Sequence, residues 1–334
     1  MAYTSEQLSQ LVMDKNIEVV IGRYPAKPAA WEQFSQRITT LKFPAKGHRW
    51  VGGLIEAEPR DLRENQQAEQ VMLGVGYVRQ LAVVYKARRL SRSARLVEAT
   101  SGLDTYIADT NRVGEVFTDE TVRHRIKTFA GKLQKGRLSA GNAQFFSHGF
   151  TEYEDPQPGL IYDGKPLFAA SGNAHPFKGH TATGLQGVNL LPSLPLTTDN
   201  LATAHLQMTE TNAISEEGKE IEIMPTHLIH GAALRPAVAQ VLGSELLPGS
   251  ANNDRNPWFG AVEPVNMSGY IRDQTSAWWL IEGNKAFAHY DQGAPAVRTW
   301  YDPDRDMYHT EWVDVFGMSE ADWRYIIGCN MNAS

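Results

Sequence analysis

A stretch in the middle of the chain matches the start of a phosphate-binding loop. Residues 159–165 fit the pattern G-x-x-x-x-G-K, ending in Gly164 and Lys165. A nucleotide site also needs a Ser or Thr at the next position, to bind magnesium, and a helix whose amides hold the phosphates. Pro166 stands at that position instead. The pattern therefore predicts a glycine turn in a hairpin, and a hydrolase built on Gly164, Lys165 and His227 is the least supported alternative.

Two histidines are spaced like a pair of metal ligands. His227 and His230 stand three residues apart, but neither an H-E-x-x-H pattern nor a thiolate accompanies them. His175 and His180 could join them only through the fold of the chain. Polar or packing roles are therefore predicted for these side chains.

Residues 302–306 begin like a calcium-binding loop. Met307 stands where such a loop requires glycine, and Val313 stands where it requires a bidentate glutamate. The acidic residues instead favour a turn closed by Asx side chains. No G-x-S-x-G sequence is present, so the chain is predicted to have no catalytic residue, no cofactor and no metal site.

Length and composition indicate a globular protein of about two domains. The chain has 334 residues, of which 42% are hydrophobic and 21% charged. Cys329 is the single cysteine, which excludes a disulfide framework and a zinc site with several thiolates. The first residues do not form a signal peptide, and no apolar run approaches the ~20 residues of a membrane span. A cytosolic site of synthesis and no membrane partner are expected.

The net charge of −6 is an average over two opposed regions. Residues 79–137 contain thirteen Lys or Arg and six Asp or Glu, a net charge of +7, which leaves −13 for the rest of the chain. Such a run most often forms a solvated helix face. It could also face phosphates or an acidic surface on another subunit.

The predicted elements begin with an arm and a hairpin. Residues 1–45 carry a short helix capped by Ser5 and then several prolines, so they form an arm that needs a surface to lie on. Residues 46–80 have the pattern of a long hairpin with a polar tip. Ser91 is a candidate N-cap for a short helix. The clearest helix is predicted to start at Thr118 and to reach residue 146, about 40 Å in length.

The second half alternates irregular connections with short elements. Residues 149–195 are rich in glycine and proline and are predicted to separate two lobes. Thr198 is predicted to cap a helix, and another helix is expected at about 231–242. Strands are predicted at 221–225, 262–265, 277–281, 286–290, 297–300 and 311–316.

Several short motifs in this half occur in a recognisable order. They include Tyr162-Asp163-Gly164-Lys165-Pro166-Leu167-Phe168, Asn173-Ala174-His175-Pro176, Thr198-Asp199-Asn200-Leu201, Gly218 to Leu228, Asn256-Pro257, Ala277-Trp278-Trp279-Leu280, Phe316-Gly317 and Asp322-Trp323-Arg324. Their order and spacing over about residues 160–330 resemble the major head subunit of Mu-like prophages. The first 150 residues are similar to that family in layout more than in motifs.

The resemblance implies an α+β fold of the Hong Kong 97 type, shared by major capsid proteins of tailed phages. It implies an N-terminal arm at 1–45, an extended loop (E-loop) at 46–80, and an axial domain at 161–275. The peripheral domain would comprise 81–160 and 276–334, with a spine helix at about 118–146. The implied function is a structural head protein that forms hexamers and pentamers of an icosahedral shell around double-stranded DNA.

The same resemblance implies partners and contact residues. Partners are other copies of the chain, a portal, a decoration protein and packaged double-stranded DNA held without sequence specificity. A separate scaffolding protein is expected because an arm of about 45 residues is too short to include a scaffold. The location is the virion, and the host cytoplasm during assembly. Candidate contacts with subunits or genome are Arg60, Arg63, Arg88, Arg89, Arg92, Arg95, Lys127 and Lys132. An encapsulin-like compartment shell, built on the same fold, is the main alternative.

Overall fold

The structure is a computed structural model. It describes residues 4–24, 31–37, 47–51, 77–81, 84–99, 101–136, 161, 165–175, 187–215, 220–247, 254–272 and 274–331, with backbone only at 47–51, 77–81, 84 and 135. The helices in these ranges are α1 (Ser5–Arg23), α2 (Ala94–Val97), α3 (Gly102–Lys135), α4 (Thr198–Leu206) and α5 (Arg235–Leu242). The strands are β1 (Ser35–Arg37), β2 (Gly47–Val51), β3 (Tyr77–Leu81), β4 (Val84–Ser93), β5 (Leu190–Leu191), β6 (His227–His230), β7 (Glu263–Asn266), β8 (Trp278–Ile281), β9 (Phe287–Asp291), β10 (Ala296–Asp302), β11 (Met307–Glu320) and β12 (Ile326–Cys329).

The arm begins with a longer helix than the sequence predicted. Thr4, and not Ser5, caps α1: its hydroxyl accepts from the Gln7 amide, and the Gln7 side chain accepts from the Thr4 amide. This reciprocal capping box satisfies two backbone donors at the helix start. Asn16 is fully buried and donates to the Thr110 hydroxyl at 2.9 Å, which fixes α1 on α3.

The long helix α3 starts at Gly102 and has 34 residues, so it is about 50 Å long. The predicted start at Thr118 is wrong. Thr118 lies in mid-helix, where its hydroxyl donates to the Gly114 carbonyl at 2.8 Å instead of capping an amide. Residues 118–120 resemble a helix start because a Thr hydroxyl forms short-range hydrogen bonds to the backbone both at an N-cap and within a helix. The predicted extension to residue 146 lies outside the described residues.

The first sheet has the order β1-β9-β11-β10, and β4 also pairs with β11. The 14-residue strand β11 is the central strand of this sheet. Along one edge β11 pairs with β4, and along its other edge it pairs first with β10 and then with β9. Ser91 lies inside β4, so the predicted cap is wrong; Ser93 precedes α2 instead. The strands β2 and β3 pair separately as an antiparallel ribbon, which agrees with the base of the predicted hairpin.

The second sheet has the order β5-β12-β8-β6-β7. Residues 221–225 are not a strand, because the Met224 amide bonds to the Glu282 side chain and Pro225 has no amide hydrogen. The strand comes just after them and contains both His227 and His230. Cys329 lies buried in β12 and not in a free tail, and burial raises the pKa of its thiol.

One hydrophobic cluster spans both sheets. The C-terminal half of α3 contributes Phe129 and Leu133, the first sheet contributes Phe287, and the second contributes Trp279 and Ile281. The second sheet also draws strands from both 161–275 and 276–334, so strand pairing does not follow the predicted domain boundary. A second cluster packs α4 and α5 on the opposite face of this sheet.

A buried asparagine organises the irregular connection that leads into the second sheet. The Asn189 side chain accepts from the Ala169 amide at 2.9 Å and donates to the Leu167 carbonyl at 2.8 Å. It also donates to the carbonyls of Trp323 and Ile326, at 3.2 and 3.3 Å. One fully buried amide thus connects residues 167–169 to the C-terminal segment. Thr197, and not the predicted Thr198, then caps α4.

Candidate contact surface

The stretch that resembles a phosphate-binding loop is described only at Ile161 and Lys165. The Ile161 amide donates to the Lys165 carbonyl at 2.7 Å, and Lys165 Nζ donates to Asn173 Oδ1 at 2.6 Å. Gly164 lies outside the described residues. Residues 165–170 are not helical, so they offer no helix N-terminus whose amides could hold a phosphate. The predicted glycine turn around Gly164 therefore stays a prediction.

The two histidines of β6 do not converge on a shared site. Side chains three residues apart on a strand point to opposite faces of the sheet. His227 Nδ1 lies 2.7 Å from the Thr226 hydroxyl, and its ring packs edge-on against Phe34. His230 is buried with Nδ1 2.8 Å from the Gly231 carbonyl, and burial lowers its pKa. No group of three or more potential metal ligands occurs among the described residues.

The acidic stretch at 302–306 forms the turn between β10 and β11. The Asp304 amide donates to Asp302 Oδ1 at 3.1 Å, which is the Asx turn that the sequence predicted. Asp306 adopts a positive φ of 51° and accepts from the Tyr301 hydroxyl at 2.8 Å.

Three of the candidate arginines line β4 and are neutralised within the chain. Arg88 pairs with Glu120 of α3 at 3.1 Å, and Arg92 pairs with Asp109 of the same helix. Arg89 is on the other face of the sheet, where it pairs with Glu311 at 2.7 Å and lies over the Trp300 ring. Glu120 and Asp109 are already counted in the net charge of +7, whereas Glu311 lies outside residues 79–137 and offsets one further positive charge.

The remaining candidates fall into three environments. Arg95 on α2 and Lys127 on α3 are exposed, and neither forms an ion pair with another described residue. Lys132, which the sequence offered as a contact with subunits or genome, is buried and pairs with Glu320 at 2.6 Å. Lys132 is buried because β11 covers the side of α3 that carries it. Arg60 and Arg63 lie outside the described residues.

A buried ionic cluster that the sequence did not predict joins the arm to α3 and to the first sheet. Arg125 of α3 bonds Asp314 of β11, lies 3.4 Å from Asp291 Oδ2 of β9, and donates to the Tyr24 hydroxyl at 2.6 Å. Burial alone would lower the pKa of Arg125, but Asp314, Tyr24 and Asp291 together raise it. The guanidinium therefore stays charged in the core. One sequence signal was available: Arg125 precedes buried Phe129 by four residues and so falls on the inward face of the helix.

Residues 31–37, which we call the arm strand segment, dock beside this cluster. Ser35 Oγ lies 2.7 Å from His289 Nδ1, and Arg37 pairs with Asp291 Oδ1 at 2.8 Å. Trp31 packs edge-on against the His289 and Phe316 rings, at centroid distances of 4.9 and 5.5 Å. The arm predicted from the prolines and the short apolar helix is thus fastened to the body at two places, α1 and this segment.

None of the helices in the described ranges is both long enough and apolar enough to cross a membrane.

Comparison with known proteins identifies the second half of the chain. Residues 165–328 match the phage capsid protein family. Similar solved structures include the capsid of Ralstonia phage GP4 (TM-score 0.48, 11% identity, 93% of this chain and 94% of that chain). The capsid of the native GTA particle gives a TM-score of 0.47 at 10% identity over 92% of each chain. The procapsid of bacteriophage JBD30 gives 0.44 at 12% identity, over 99% of this chain and 77% of that chain.

No curated protein matches the sequence significantly. Because every quoted TM-score is below 0.5, the assignment rests on the family match over residues 165–328, which contains most of the ordered motifs found in the sequence. This match confirms the predicted class of protein. Residues 165–328 therefore identify this part of the chain as phage capsid protein, which indicates a structural protein of the virion capsid.

Proposed function

We propose that the chain is the major head subunit of a tailed phage or prophage, with a fold of the Hong Kong 97 type. In this proposal it assembles into hexamers and pentamers of an icosahedral shell that encloses double-stranded DNA. The family match over residues 165–328 is the observation that carries the proposal. It favours a phage head over the encapsulin-like shell, and no specific contact favours the hydrolase alternative.

The layout of the described elements supports the proposed parts. Residues 1–45 serve as the arm, since α1 packs along α3. Residues 46–80 serve as the extended loop, since β2 and β3 pair at the base of this stretch. The long helix α3 takes the role of the spine helix, beginning at Gly102. The axial domain comprises 161–275 together with β8 and β12, whose strands complete its sheet.

The proposed partners follow from the assembled shell. Other copies of the chain supply surfaces for the arm and the extended loop, and a separate scaffolding protein controls the size of the shell in the host cytoplasm. A portal and a decoration protein complete the head. Among the described candidate residues, Arg95 and Lys127 are exposed and form no ion pair with another described residue. They are therefore the proposed contacts with DNA phosphates.

Expression of the full chain with and without its scaffolding protein tests the function. The expected result is capsomers or closed shells, seen by negative-stain electron microscopy and by sedimentation velocity. Shells of uniform size from the chain alone would contradict the separate scaffold. A discrete species of about 40 kDa under all conditions, including high protein concentration, would contradict the head subunit itself, because assembly follows mass action.

Replacement of both Arg95 and Lys127 by Ala tests the genome contact. Each lost phosphate contact should reduce the magnitude of the negative slope of log K against log salt concentration by about 0.9. Titration of the double variant with double-stranded DNA should therefore show a slope that is smaller in magnitude by about 2. Arg235→Ala with Arg255→Ala is the matched control, because both arginines are exposed and lie with α5 on the opposite face of the second sheet. Equal slopes for both double variants would refute the assignment of Arg95 and Lys127.

A further inference from the structure

The arm strand segment is held on the body by few backbone bonds. It adds a three-residue parallel strand, β1, to the edge of β9. A strand this short cannot hold its position by backbone pairing alone, since isolated strand pairs are marginally stable. Its docking therefore depends on the side chains of Trp31, Phe34, Ser35 and Arg37. Phe34 is fully buried and stacks on Phe129. Trp31 and Ser35 both contact the same partner, His289.

His289 is buried between the arm strand segment and the body. Its Nδ1 lies 2.7 Å from the Ser35 hydroxyl, and its Nε2 lies 3.9 Å from Asp291 Oδ2, beyond hydrogen-bond distance. The neutral ring fits this site, because one of its nitrogens forms a hydrogen bond with Ser35. A second ring proton would place a positive charge in a site that lacks both solvent and a carboxylate within hydrogen-bond distance.

The charged groups around His289 come from every neighbouring element. Asp291 on its own strand favours a protonated ring, whereas Arg37 and Arg125 disfavour it. Both carboxylates of the cluster already pair with guanidinium groups, so Asp291 offsets only part of the cost of a charged ring. Further titratable groups act on this cluster from outside: Tyr24 and Asp314 contact Arg125, Glu32 acts on Tyr24, and Lys86 acts on Asp314. The other charged pair between α3 and β11 is Lys132 with Glu320.

We infer that His289 is a proton-operated latch: protonation of its ring releases the arm strand segment from the edge of the first sheet. Release exposes the ring to water and removes Arg37 from its vicinity, and both changes favour the charged form. Proton binding and segment release are therefore linked, and each promotes the other. The inference concerns the chain itself and holds whichever shell the chain builds.

The direction and size of the effect follow from the pKa of His289. Burial, with Arg37 and Arg125 acting in the same direction and Asp291 opposing them, lowers this pKa to about 4 in the docked state. In the released state the ordinary value of about 6.5 applies. Docking is therefore strongest above pH 6.5 and weakens as the pH falls toward 4. Between pH 7.5 and pH 5.0 the ratio of released to docked segment should rise by about 30-fold.

Hydrogen–deuterium exchange of the full-length chain at these two pH values tests the latch. Protection factors, corrected for intrinsic exchange, should fall about 30-fold for residues 31–37 between pH 7.5 and 5.0. Protection of β8 in the second sheet serves as the internal reference. In His289→Gln the fall should be less than 3-fold. Unchanged protection in the wild type, or an equal fall in His289→Gln, would overturn the inference.

The chain offers a matched control for this experiment. His309 is also buried, with Nδ1 2.7 Å from the Ser91 hydroxyl and Nε2 3.8 Å from Asp302, but both partners belong to the body of the sheet. His309→Gln should therefore keep the 30-fold fall at residues 31–37. If His309→Gln abolished that fall, the pH response would arise from general loosening of the sheet and the latch would be rejected.

A second variant decides the case in which His289→Gln leaves the arm strand segment undocked at both pH values. Ser35→Ala removes the hydrogen bond but retains the ionisable ring. It should lower protection at pH 7.5 and still show a further fall of about 30-fold at pH 5.0, since the ring remains buried by Trp31. A pH-independent Ser35→Ala chain would contradict the role of His289.

Discussion

At the residue scale, single buried polar side chains take the place of regular hydrogen bonding in the irregular parts of the fold. Asn189 bonds residues 167–169 and the C-terminal segment at once. Asn189→Ala should leave these backbone groups unsatisfied and lower the free energy of unfolding by about 3 kcal/mol. Urea denaturation of the unassembled chain measures this change. Asn173→Ala is the control, because Asn173 is exposed and should cost under about 0.5 kcal/mol.

The buried cation Arg125 is the second residue whose loss should be severe. Arg125→Ala leaves Asp291 and Asp314 buried without the guanidinium that lies between them, so unfolding free energy should fall by about 3–5 kcal/mol. Arg125→Lys keeps the charge but not the planar fork and should recover only part of the loss. Arg123→Ala, on the exposed side of the same helix, should change stability by less than about 0.5 kcal/mol in the same denaturation assay. An equal loss for Arg123→Ala and Arg125→Ala would contradict the role of the cluster.

At the element scale, close contact between α3 and β11 depends on a glycine. A Cβ on Gly114 would lie 2.8 Å from Trp312 Nε1, and the Trp312 ring is fully buried and cannot move away. Gly114→Ala should therefore lower stability by about 1–3 kcal/mol, although alanine favours a helix interior by about 1 kcal/mol.

Gly22→Ala is the control in the other long helix. No atom lies within 4 Å of the Cβ position at Gly22, so only helix propensity operates there. This variant should be neutral or more stable by up to about 1 kcal/mol, as measured by thermal unfolding. A stabilising Gly114→Ala substitution would show that α3 can move away from Trp312.

At the scale of the whole molecule, the two sheets should unfold as one unit. The hydrophobic cluster that contains Phe129, Phe287 and Trp279 includes side chains from α3 and from both sheets. Far-ultraviolet circular dichroism and tryptophan fluorescence of the unassembled chain should therefore give coincident urea transitions. Two separated transitions would indicate that 161–275 and the remainder fold as independent domains.

The sequence alone determined the class of the protein and the local elements with strong periodic signals. The order of short motifs over residues 160–330 indicated a phage capsid protein, as the family match confirms. Apolar spacing located the C-terminal part of α3, and alternation located most strands of the last third. Asx chemistry predicted the turn at 302–306, because this interaction is local and needs no tertiary partner.

Tertiary structure alone decided where α3 begins and which charged side chains are paired. The start of α3 was misplaced because Thr118 has a local hydrogen bond both as a helix cap and within a helix, and only packing against α1 and β11 shows which applies. The ion pair of Arg89 could not be predicted, because its partner Glu311 is remote in sequence and adjacent only across strands. For the same reason the cluster of Arg125, His289 and Asp291 could not be predicted. A charged side chain must be paired when it is buried. Its burial here depends on contacts between segments more than 160 residues apart.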